Sequence, residues 1–230
     1  PYNYNFSVVD VNYVNAFALP AGTVFVTTPL IAMADSEAEL AGVIGHEVGH
    51  IQARHSAERM FQAQKSQNKS WLYAAGGGLL GAGLGFGLGK LICSKRDTKC
   101  LQKATKLGAG AGLGGGLLIQ KYYFMANSRE DEMEADRIGF RTSYKAGYDR
   151  NHVGRFYAKL LRMEQQRKQG GNILSTFADA LSTHPPSKER VAQMNEMARQ
   201  ASGQGQVSGT DFKNIHQRAQ RIPRSRGAKI

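Results

Sequence analysis

Short runs of β-branched and aromatic residues open the chain and then give way to a helical pattern. Residues 6–11, 15–19 and 24–27 are such runs, and the Pro-Ala-Gly sequence at 20–22 marks a turn. We therefore expect strands within residues 6–31. Asp35 or Ser36 can cap the helix that follows, which the pattern predicts from about residue 36 to the mid-60s. Its apolar residues recur at helical spacing, at Leu40, Val43, Ile44, Val48 and Ile51.

A glycine-rich apolar stretch follows at residues 71–119. It carries no charge from Trp71 to Gly89, and its glycines recur every four residues, at Gly77, Gly81, Gly85 and Gly89 and again at Gly108, Gly112 and Gly116. Spacing by four lines each set along one helix face, where the missing side chains let two backbones approach closely. We expect a helical hairpin inserted at 71–120, because the interleaved Leu, Ile and Phe residues do not fit a flexible linker.

Membrane insertion of this hairpin is a separate question. Its first segment approaches the ~20 residues that a spanning helix needs, but the second, residues 107–119, is too short. The pattern therefore disfavours a span and leaves open a peripheral contact with a membrane or a partner, through the hairpin and the basic tail.

The second half of the chain reads as helices joined by short loops. One helix passes through residues 128–140 and ends near Gly147, a second covers about 150–168, and a third about 187–199. Residues 201–210 have the composition of a linker, and the basic residues after them predict a short helix with a loose tail. Together the elements predict an α+β, mainly helical fold with a small N-terminal sheet. We expect one domain over residues 1–200, followed by the linker and tail at 201–230.

The net charge of +12 is distributed unevenly along the chain. The first 53 residues contain no Lys or Arg and five acidic residues, which leaves the remainder at +17. A uniform basic surface for nucleic acid does not have this distribution, and no motif that interleaves aromatic and basic residues is present. The sequence therefore argues against a nucleic-acid partner, whereas an anionic membrane is compatible with the charge.

The sequence His46-Glu47-Val48-Gly49-His50 carries the strongest chemical signal. On a helix, residues four apart point the same way, so the two imidazoles can share one metal ion. Glu47 lies beside that face, where its carboxylate can take a proton from a metal-bound water. Two surface histidines that happen to flank a glutamate are the alternative, which fits poorly because other residues already predict a helix here.

Catalytic zinc requires a third protein ligand. His55 cannot supply it from the same helix, because that position would lie about 180° around the helix from His46, and we expect a packing or surface histidine there. A second predicted helix offers two acidic pairs four residues apart, Glu130 with Glu134 and Glu132 with Asp136. Such a pair could give one ligand and one acceptor for an imidazole N–H. Spacing alone leaves both pairs open, together with a solvated acidic face.

Four segments, in this order, resemble the HtpX/BepA-like gluzincin metallopeptidases, the group that also includes the CAAX prenyl proteases. They are NAFALPAGTVFVTTPLI, HEVGH, SREDEMEAD with the following RIG, and STHPPSKERV, and the resemblance covers about residues 6–199. It implies a zincin-type fold with an HExxH active-site helix and a second ligand helix. It also implies one Zn²⁺ per chain, held by His46, His50 and Glu132. Asp136 would then hold a zinc-bound histidine.

The resemblance also implies a substrate-binding strand. The family's NAFA-type segment lies at the edge of the cleft, and such a strand can pair with the backbone of a bound peptide. In this chain the corresponding residues are Asn15, Ala16, Phe17 and Ala18.

His184 precedes a rigid Pro185-Pro186 turn, and in similar proteins a histidine in this segment approaches the metal. It could stabilise the oxyanion of the tetrahedral intermediate, occupy the fourth zinc position and hold the enzyme latent, or be a structural loop histidine. Arg190 reads as a structural ion-pair residue.

The hairpin between the two zinc motifs suggests the soluble or membrane-peripheral branch of the family, whose members are often periplasmic lipoproteins. Cys93 and Cys100 would form a disulfide in that oxidising compartment and would be free thiols in the cytosol. We therefore expect a bacterial periplasmic or outer-membrane-associated protein.

These observations predict a zinc-dependent endopeptidase that cleaves unfolded or misassembled envelope proteins. Glu47 would deprotonate the attacking water, and zinc, with His184 in one reading, would carry the oxyanion charge. The alternative is a latent or non-catalytic zinc-bearing module that binds membrane or envelope proteins.

Overall fold

A computed structural model describes residues 2–19, 22–66, 127–169 and 177–222. The expected hairpin, both cysteines and the end of the basic tail lie outside these residues. Within them, helices predominate over one three-stranded sheet, which confirms the expected mainly helical fold with a small N-terminal sheet. Residues up to His55 and those from 127 onward belong to one compact unit, whereas residues 56–66 belong to a second.

The three N-terminal strands pair in the order β1-β3-β2, with β1 at Asn5–Val9, β2 at Ala16–Leu19 and β3 at Thr23–Thr27. The central strand β3 runs parallel to β1 and antiparallel to β2. Val24 and Val26 of β3 are buried, because alternate residues of a strand point to the same face. Among the described residues, β2 forms an edge of the sheet.

Residues 28–31 are helical, so the expectation of strand structure there was wrong. Helix α1 spans Thr28–Met33, and Pro29 lies in its first turn. Proline lacks an amide hydrogen and has a fixed φ, so it cannot donate to a sheet but suits the start of a helix. The strand therefore ends at Thr27.

The helix expected from residue 36 to the mid-60s is interrupted. Helix α2 spans Glu37–Gln52, and α3 spans His55–Ser66. Between them Arg54 has a φ of 59°, in the left-handed region that a β-carbon disfavours. The apolar repeat that predicted the helix ends at Ile51, so it contained no information about this reversal.

The remaining helices complete the described part of the chain. They are α4 at Arg129–Lys145, α5 at Arg150–Val153, α6 at Arg155–Lys168, α7 at Ala178–Thr183, α8 at Lys188–Gln200 and α9 at Thr210–Arg221. The helix expected at about 150–168 is thus two helices that meet at Gly154, and α7 had not been expected. Within the described residues, no helix has the length and apolar character needed to cross a membrane.

Helices α2 and α4 pack with their backbones almost in contact. A β-carbon added at Gly49 of α2 would lie 2.6 Å from the carbonyl oxygen of Ala135 in α4. One added at Gly139 of α4 would lie 2.6 Å from the backbone nitrogen of His46. Real side chains do not tolerate such distances, so the close approach requires glycine at both positions. The two helices that carry the expected metal ligands therefore lie side by side.

Residues 201–209 are hydrogen-bonded to the start of α2, although their composition is typical of a linker. The carboxylate of Glu37 accepts hydrogen bonds from the backbone N–H of Gly209 at 2.8 Å, from the Gln206 amide at 3.0 Å and from the Tyr148 hydroxyl at 3.0 Å. The Gly209 N–H contributes most to lowering the pKa of Glu37 below its ordinary value, because it stabilises the charged form. This segment thus belongs to the same compact unit as the helices before it.

Candidate metal centre

Four side chains from three parts of the fold converge on one point. They are His46 and His50 of α2, Glu132 of α4 and His184, which directly follows α7. Each offers one nitrogen or oxygen atom, and the four atoms lie within 4.8 Å of one another. Three of the residues are buried and His184 is half-buried. This is the group that the described residues offer for holding a metal ion.

The distances between the four atoms fit ligands around a single ion. Nε2 of His46 lies 3.0 Å from Nε2 of His50, 3.3 Å from Oε2 of Glu132 and 3.2 Å from Nδ1 of His184. Four ligands at zinc bond lengths in a tetrahedron are about 3.3–3.5 Å apart. Imidazole nitrogen and carboxylate oxygen are also donor types that zinc takes in catalytic sites. The residues therefore fit Zn²⁺ in both spacing and chemistry.

Local helix geometry explains why these residues meet. His46 and His50 are one turn apart on α2 and point to the same side. Glu132 lies in the first turns of α4, whose start is fixed by a capping box between Ser128 and Asp131. The close packing of α2 on α4 then brings the carboxylate of Glu132 to within 3.2 Å of Nε2 of His50.

Asp136 and Arg190 lie directly behind the cluster. Oδ1 of Asp136 is 2.8 Å from Nδ1 of His46, so the other ring nitrogen of His46 faces the cluster. Arg190 is 1% exposed and donates from Nε and Nη2 to the two oxygens of Asp136, both at 2.7 Å. Its Nη1 lies 2.5 Å from Oε2 of Glu132 and 3.1 Å from the carbonyl oxygen of Pro185, to which it donates. The guanidinium thus links both carboxylates to the turn that carries His184.

His55 is a buried packing histidine outside the four converging residues, as expected, but it lies next to the cluster and not on the opposite side of one continuous helix. Its Nδ1 lies 2.8 Å from Nδ1 of His50, and the residue is 3% exposed. The reversal at Arg54 brings it there, whereas an uninterrupted helix would have carried it to the opposite side. His55 is not among the four converging residues but contacts one of them.

The charges of the neighbouring groups determine which histidine is protonated in the protein alone. Burial would lower the pKa of His46, but Glu132 and Asp136 raise it to about 9. Burial and the charge of His46 hold the pKa of His50 well below its usual range. Although burial opposes it, the charges of His184, His46 and Arg190 hold the pKa of Glu132 well below normal. The cluster therefore stabilises a positive charge at its centre, as a cation site must.

Glu47 lies beside the cluster, and its pKa is shifted in the opposite direction to that of Glu132. Burial raises the pKa of its carboxyl above the ordinary value, and the nearby positive groups only partly offset this. Its Oε1 is 3.4 Å from Nε2 of His184. A carboxylate of raised basicity next to a metal site suits a general base.

A small cavity of about 20 Å³ adjoins the cluster. It lies between the edge strand, α2, α6 and the turn after α7, and it is lined by Asn15, Ala16, Leu30, Val43, His46, Glu47, Phe156, Tyr157, Leu160, Ala180 and His184. Asn15 is 1% exposed, and neither atom of its side-chain amide has a hydrogen-bond partner within the described part of the chain. A buried amide without partners is destabilising unless a ligand satisfies it. Ala16, Phe17 and Ala18 continue from it along β2.

Two further residues touch the centre and were not indicated by the sequence patterns. The side-chain amide of Asn127 donates to the carbonyl oxygen of Thr183 at 3.2 Å and lies 3.4 Å from Nε2 of His50. The ring of Tyr157 lies beneath the guanidinium of Arg190, 4.9 Å from its carbon atom. Neither stands at a motif spacing, and only the tertiary structure brings them here.

Comparison with known proteins agrees with this geometry. The model of peptidase family M48 matches residues 1–198. The beta-barrel assembly-enhancing protease of Yersinia pestis is 28% identical over 209 residues, which cover 91% of this chain and 37% of that protein. The mitochondrial metalloendopeptidase OMA1 of Arabidopsis thaliana is 34% identical over 193 residues, which cover 83% and 31%. OMA1 of Schizosaccharomyces pombe is 31% identical over 214 residues, which cover 88% and 51%. The chain thus spans about a third to a half of the length of these relatives.

The geometry predicts that Glu132, and not its neighbour Glu130, holds the metal. We expect Glu132→Ala to weaken zinc binding by more than the roughly 100-fold that is typical of losing an outer partner. The measurement is competition for zinc with a chelator of known affinity. Glu130→Ala on the exposed face of the same helix is the matched control and should bind zinc as the unchanged chain does. Equal affinity of the two variants would contradict the assignment.

Proposed function

The chain belongs to peptidase family M48, and from this membership we propose that it is a zinc-dependent endopeptidase of unfolded or misassembled proteins in the cell envelope. The observation that carries the proposal is the convergence of His46, His50, Glu132 and His184 within 4.8 Å, with the carboxylate of Glu47 beside them. A bound Zn²⁺ would supply Lewis-acid activation of water and of the scissile carbonyl at this point.

Glu47 is the general base in this proposal. Its carboxylate takes a proton from the attacking water and delivers it to the amine that leaves. Burial supports the role, because it raises the pKa of Glu47 and so makes the carboxylate a stronger base. His46, His50 and Glu132 are the ligands that hold the metal next to this base.

His184 is the fourth donor of the resting centre in this proposal. Its Nδ1 lies among the ligand atoms, 3.2 Å from Nε2 of His46 and 3.1 Å from Oε1 of Glu132. Catalytic zinc sites keep one position for water or substrate, whereas a site with four protein ligands is closed. The geometry therefore favours a latent form in which His184 must withdraw before cleavage. A histidine that instead stabilises the oxyanion is the alternative.

Substrate would bind as an added strand along β2. An edge strand offers backbone donors and acceptors to an extended peptide, and β2 leads directly to the cluster through Asn15 and Ala16. The unpartnered amide of Asn15 supports this, because a peptide group of the substrate would satisfy it. Cleavage next to the metal would then select segments that are extended, as in unfolded proteins.

The relatives support the cellular setting that we propose. Relatives from Yersinia pestis and Escherichia coli bear the name beta-barrel assembly-enhancing protease. We propose the periplasm or the periplasmic face of the outer membrane as the location. A non-catalytic zinc-bearing module is the competing function, and it would bind zinc without cleaving any unfolded protein.

Loss of the general base should separate chemistry from metal binding. We expect Glu47→Gln to keep zinc at one ion per chain and to lower the cleavage rate of casein by roughly 10²–10⁴-fold. Zinc content and the rate are measured on the same sample. Undiminished cleavage by this variant would reject the mechanism.

Asn15 should matter for substrate and not for stability. In Asn15→Leu we expect KM for an extended peptide to rise, because an interaction with the substrate backbone is lost. Removing an unpartnered buried amide should leave the melting temperature unchanged or raise it. A variant that unfolds at lower temperature, with KM unaltered, would show that Asn15 is structural.

The two proposed roles of His184 predict opposite changes in the cleavage rate when its side chain is removed. Because we propose a closed resting centre, we expect His184→Ala to bind zinc and to cleave casein faster than the unchanged chain. Zinc bound with the rate reduced would instead favour stabilisation of the oxyanion. His216→Ala is a suitable control, because His216 lies on α9 and contacts the carbonyl oxygen of Ala32 instead of the cluster.

A further inference from the structure

A second histidine lies behind the metal centre, in direct contact with one of its ligands. Nδ1 of His55 is 2.8 Å from Nδ1 of His50. The opposite nitrogen of His50, Nε2, faces the cluster, 3.0 Å from Nε2 of His46 and 3.2 Å from Oε1 of Glu132. His50 therefore lies between the metal centre on one side and His55 on the other.

The distance between the two Nδ1 atoms fixes the number of protons between them. Two unprotonated nitrogens, or two N–H groups, would repel each other at 2.8 Å, so one atom donates and the other accepts. A histidine that binds a metal through Nε2 is neutral and carries its proton on Nδ1. His50 is then the donor, and Nδ1 of His55 must be the unprotonated acceptor. His55 consequently carries its proton on Nε2.

We propose that His55 is a positioning residue of the metal centre, which fixes the tautomer and the ring orientation of His50 by accepting its Nδ1–H. The inference rests on the proposed zinc site but not on the cleavage of any substrate. It extends the set of residues that hold the metal to a position outside the HExxH motif.

The surroundings of His55 suit this tautomer. Its Nε2 lies 3.5 Å from Oε2 of Glu134 and 3.7 Å from Oδ1 of Asp131. Both are carboxylates of α4, and their side chains are partly exposed, at 52% and 27%. Neither carboxylate oxygen forms a hydrogen bond with Nε2, but a proton on a nitrogen near two carboxylates is electrostatically favourable, whereas a bare nitrogen there would face like partial charge. The two carboxylates near His55 thus favour the same tautomer that its contact with His50 requires, with the proton on Nε2.

The two histidine ligands are therefore held differently. His46 has a carboxylate acceptor, Asp136, at 2.8 Å, and that carboxylate is itself neutralised by Arg190. His50 has a neutral imidazole as its acceptor, which adds no further negative charge to the buried centre. Outer partners of this kind orient the ligand ring and strengthen the metal site.

The backbone reversal before α3 makes the contact possible. On one continuous helix, residues five apart would lie about 140° around the axis from each other, and their rings could not meet. The positive φ of Arg54 returns the chain so that His55 packs behind His50 instead. This backbone conformation is energetically unfavourable for a residue with a β-carbon, which indicates that the surrounding packing enforces the reversal.

The first test measures zinc affinity in the full chain. We expect His55→Leu to raise the zinc dissociation constant about 10–100-fold, as typical for the loss of an outer partner. In His55→Gln the side-chain carbonyl oxygen can still accept a hydrogen bond, so this variant should recover a large part of the affinity. His216→Leu, on α9, is the matched control and should leave the constant unchanged. A His55→Leu variant that binds zinc as tightly as the unchanged chain overturns the proposal.

The second test needs no substitution and reads the protons directly. In the zinc-loaded chain, ¹⁵N NMR of the histidine rings should report a protonated Nδ1 and a metal-bound Nε2 for His50. For His55 it should report a protonated Nε2 and a bare Nδ1 that accepts a hydrogen bond. A protonated Nδ1 on His55 contradicts the proposal even if the Leu variant fails to fold. Failure of the unchanged chain to bind zinc would remove the proposed function together with this inference, whereas normal zinc binding with the wrong tautomers removes the inference alone.

Discussion

The close approach of α2 to α4 is the contact on which the centre depends. No side chain separates the two backbones where Gly49 faces Ala135 and where Gly139 faces His46, with β-carbon positions 2.6 Å from backbone atoms of the opposite helix. At ordinary helix separations of 8–10 Å, a glutamate side chain would have to reach across a layer of packed side chains. Here Glu132 lies directly against the imidazoles of its neighbour, with atoms about one ligand-to-ligand distance apart. The packing of small residues therefore sets the size of the cation site.

Burial of so many charged groups is tolerated because they neutralise one another. Glu47, Glu132 and Asp136 are all buried, and in the protein alone the positive charges of His46 and Arg190 face them. With a divalent cation in the cluster and neutral imidazoles, the three carboxylates, the guanidinium and the cation sum to zero. A buried charge without such partners is strongly destabilising. A bound divalent cation would thus complete the charge balance of the buried carboxylates and the guanidinium.

The turn that carries His184 is attached to the same network from two sides. Arg190 donates to the carbonyl oxygen of Pro185, and Asn127 donates to that of Thr183. The position of this histidine therefore depends on groups that also touch Glu132 and His50. Withdrawal of His184, which the proposed mechanism requires, would have to break or bend these contacts.

The amino-acid pattern was sufficient to predict the parts that depend on local spacing. The pairing of His46 with His50 on one helix face, the acidic helix after Ser128 and the resemblance to the peptidase group, which the family match confirms, all follow from residues close together in the chain. Where those segments meet depends on packing between elements that are distant in sequence. The helix break at Arg54 lies beyond the last apolar position of α2. The helix that the pattern predicted at about 150–168 is divided at Gly154. The residues from Thr28, expected as strand, form α1, which has Pro29 in its first turn. His55, Asn127 and Tyr157 reach the centre only through contacts between segments distant in sequence or after a backbone reversal, and periodicity contains no information about either. For that reason spacing was sufficient to pair His46 with His50, and the family resemblance was needed to choose Glu132 and Asp136, whereas neither indicated His55, Asn127 or Tyr157.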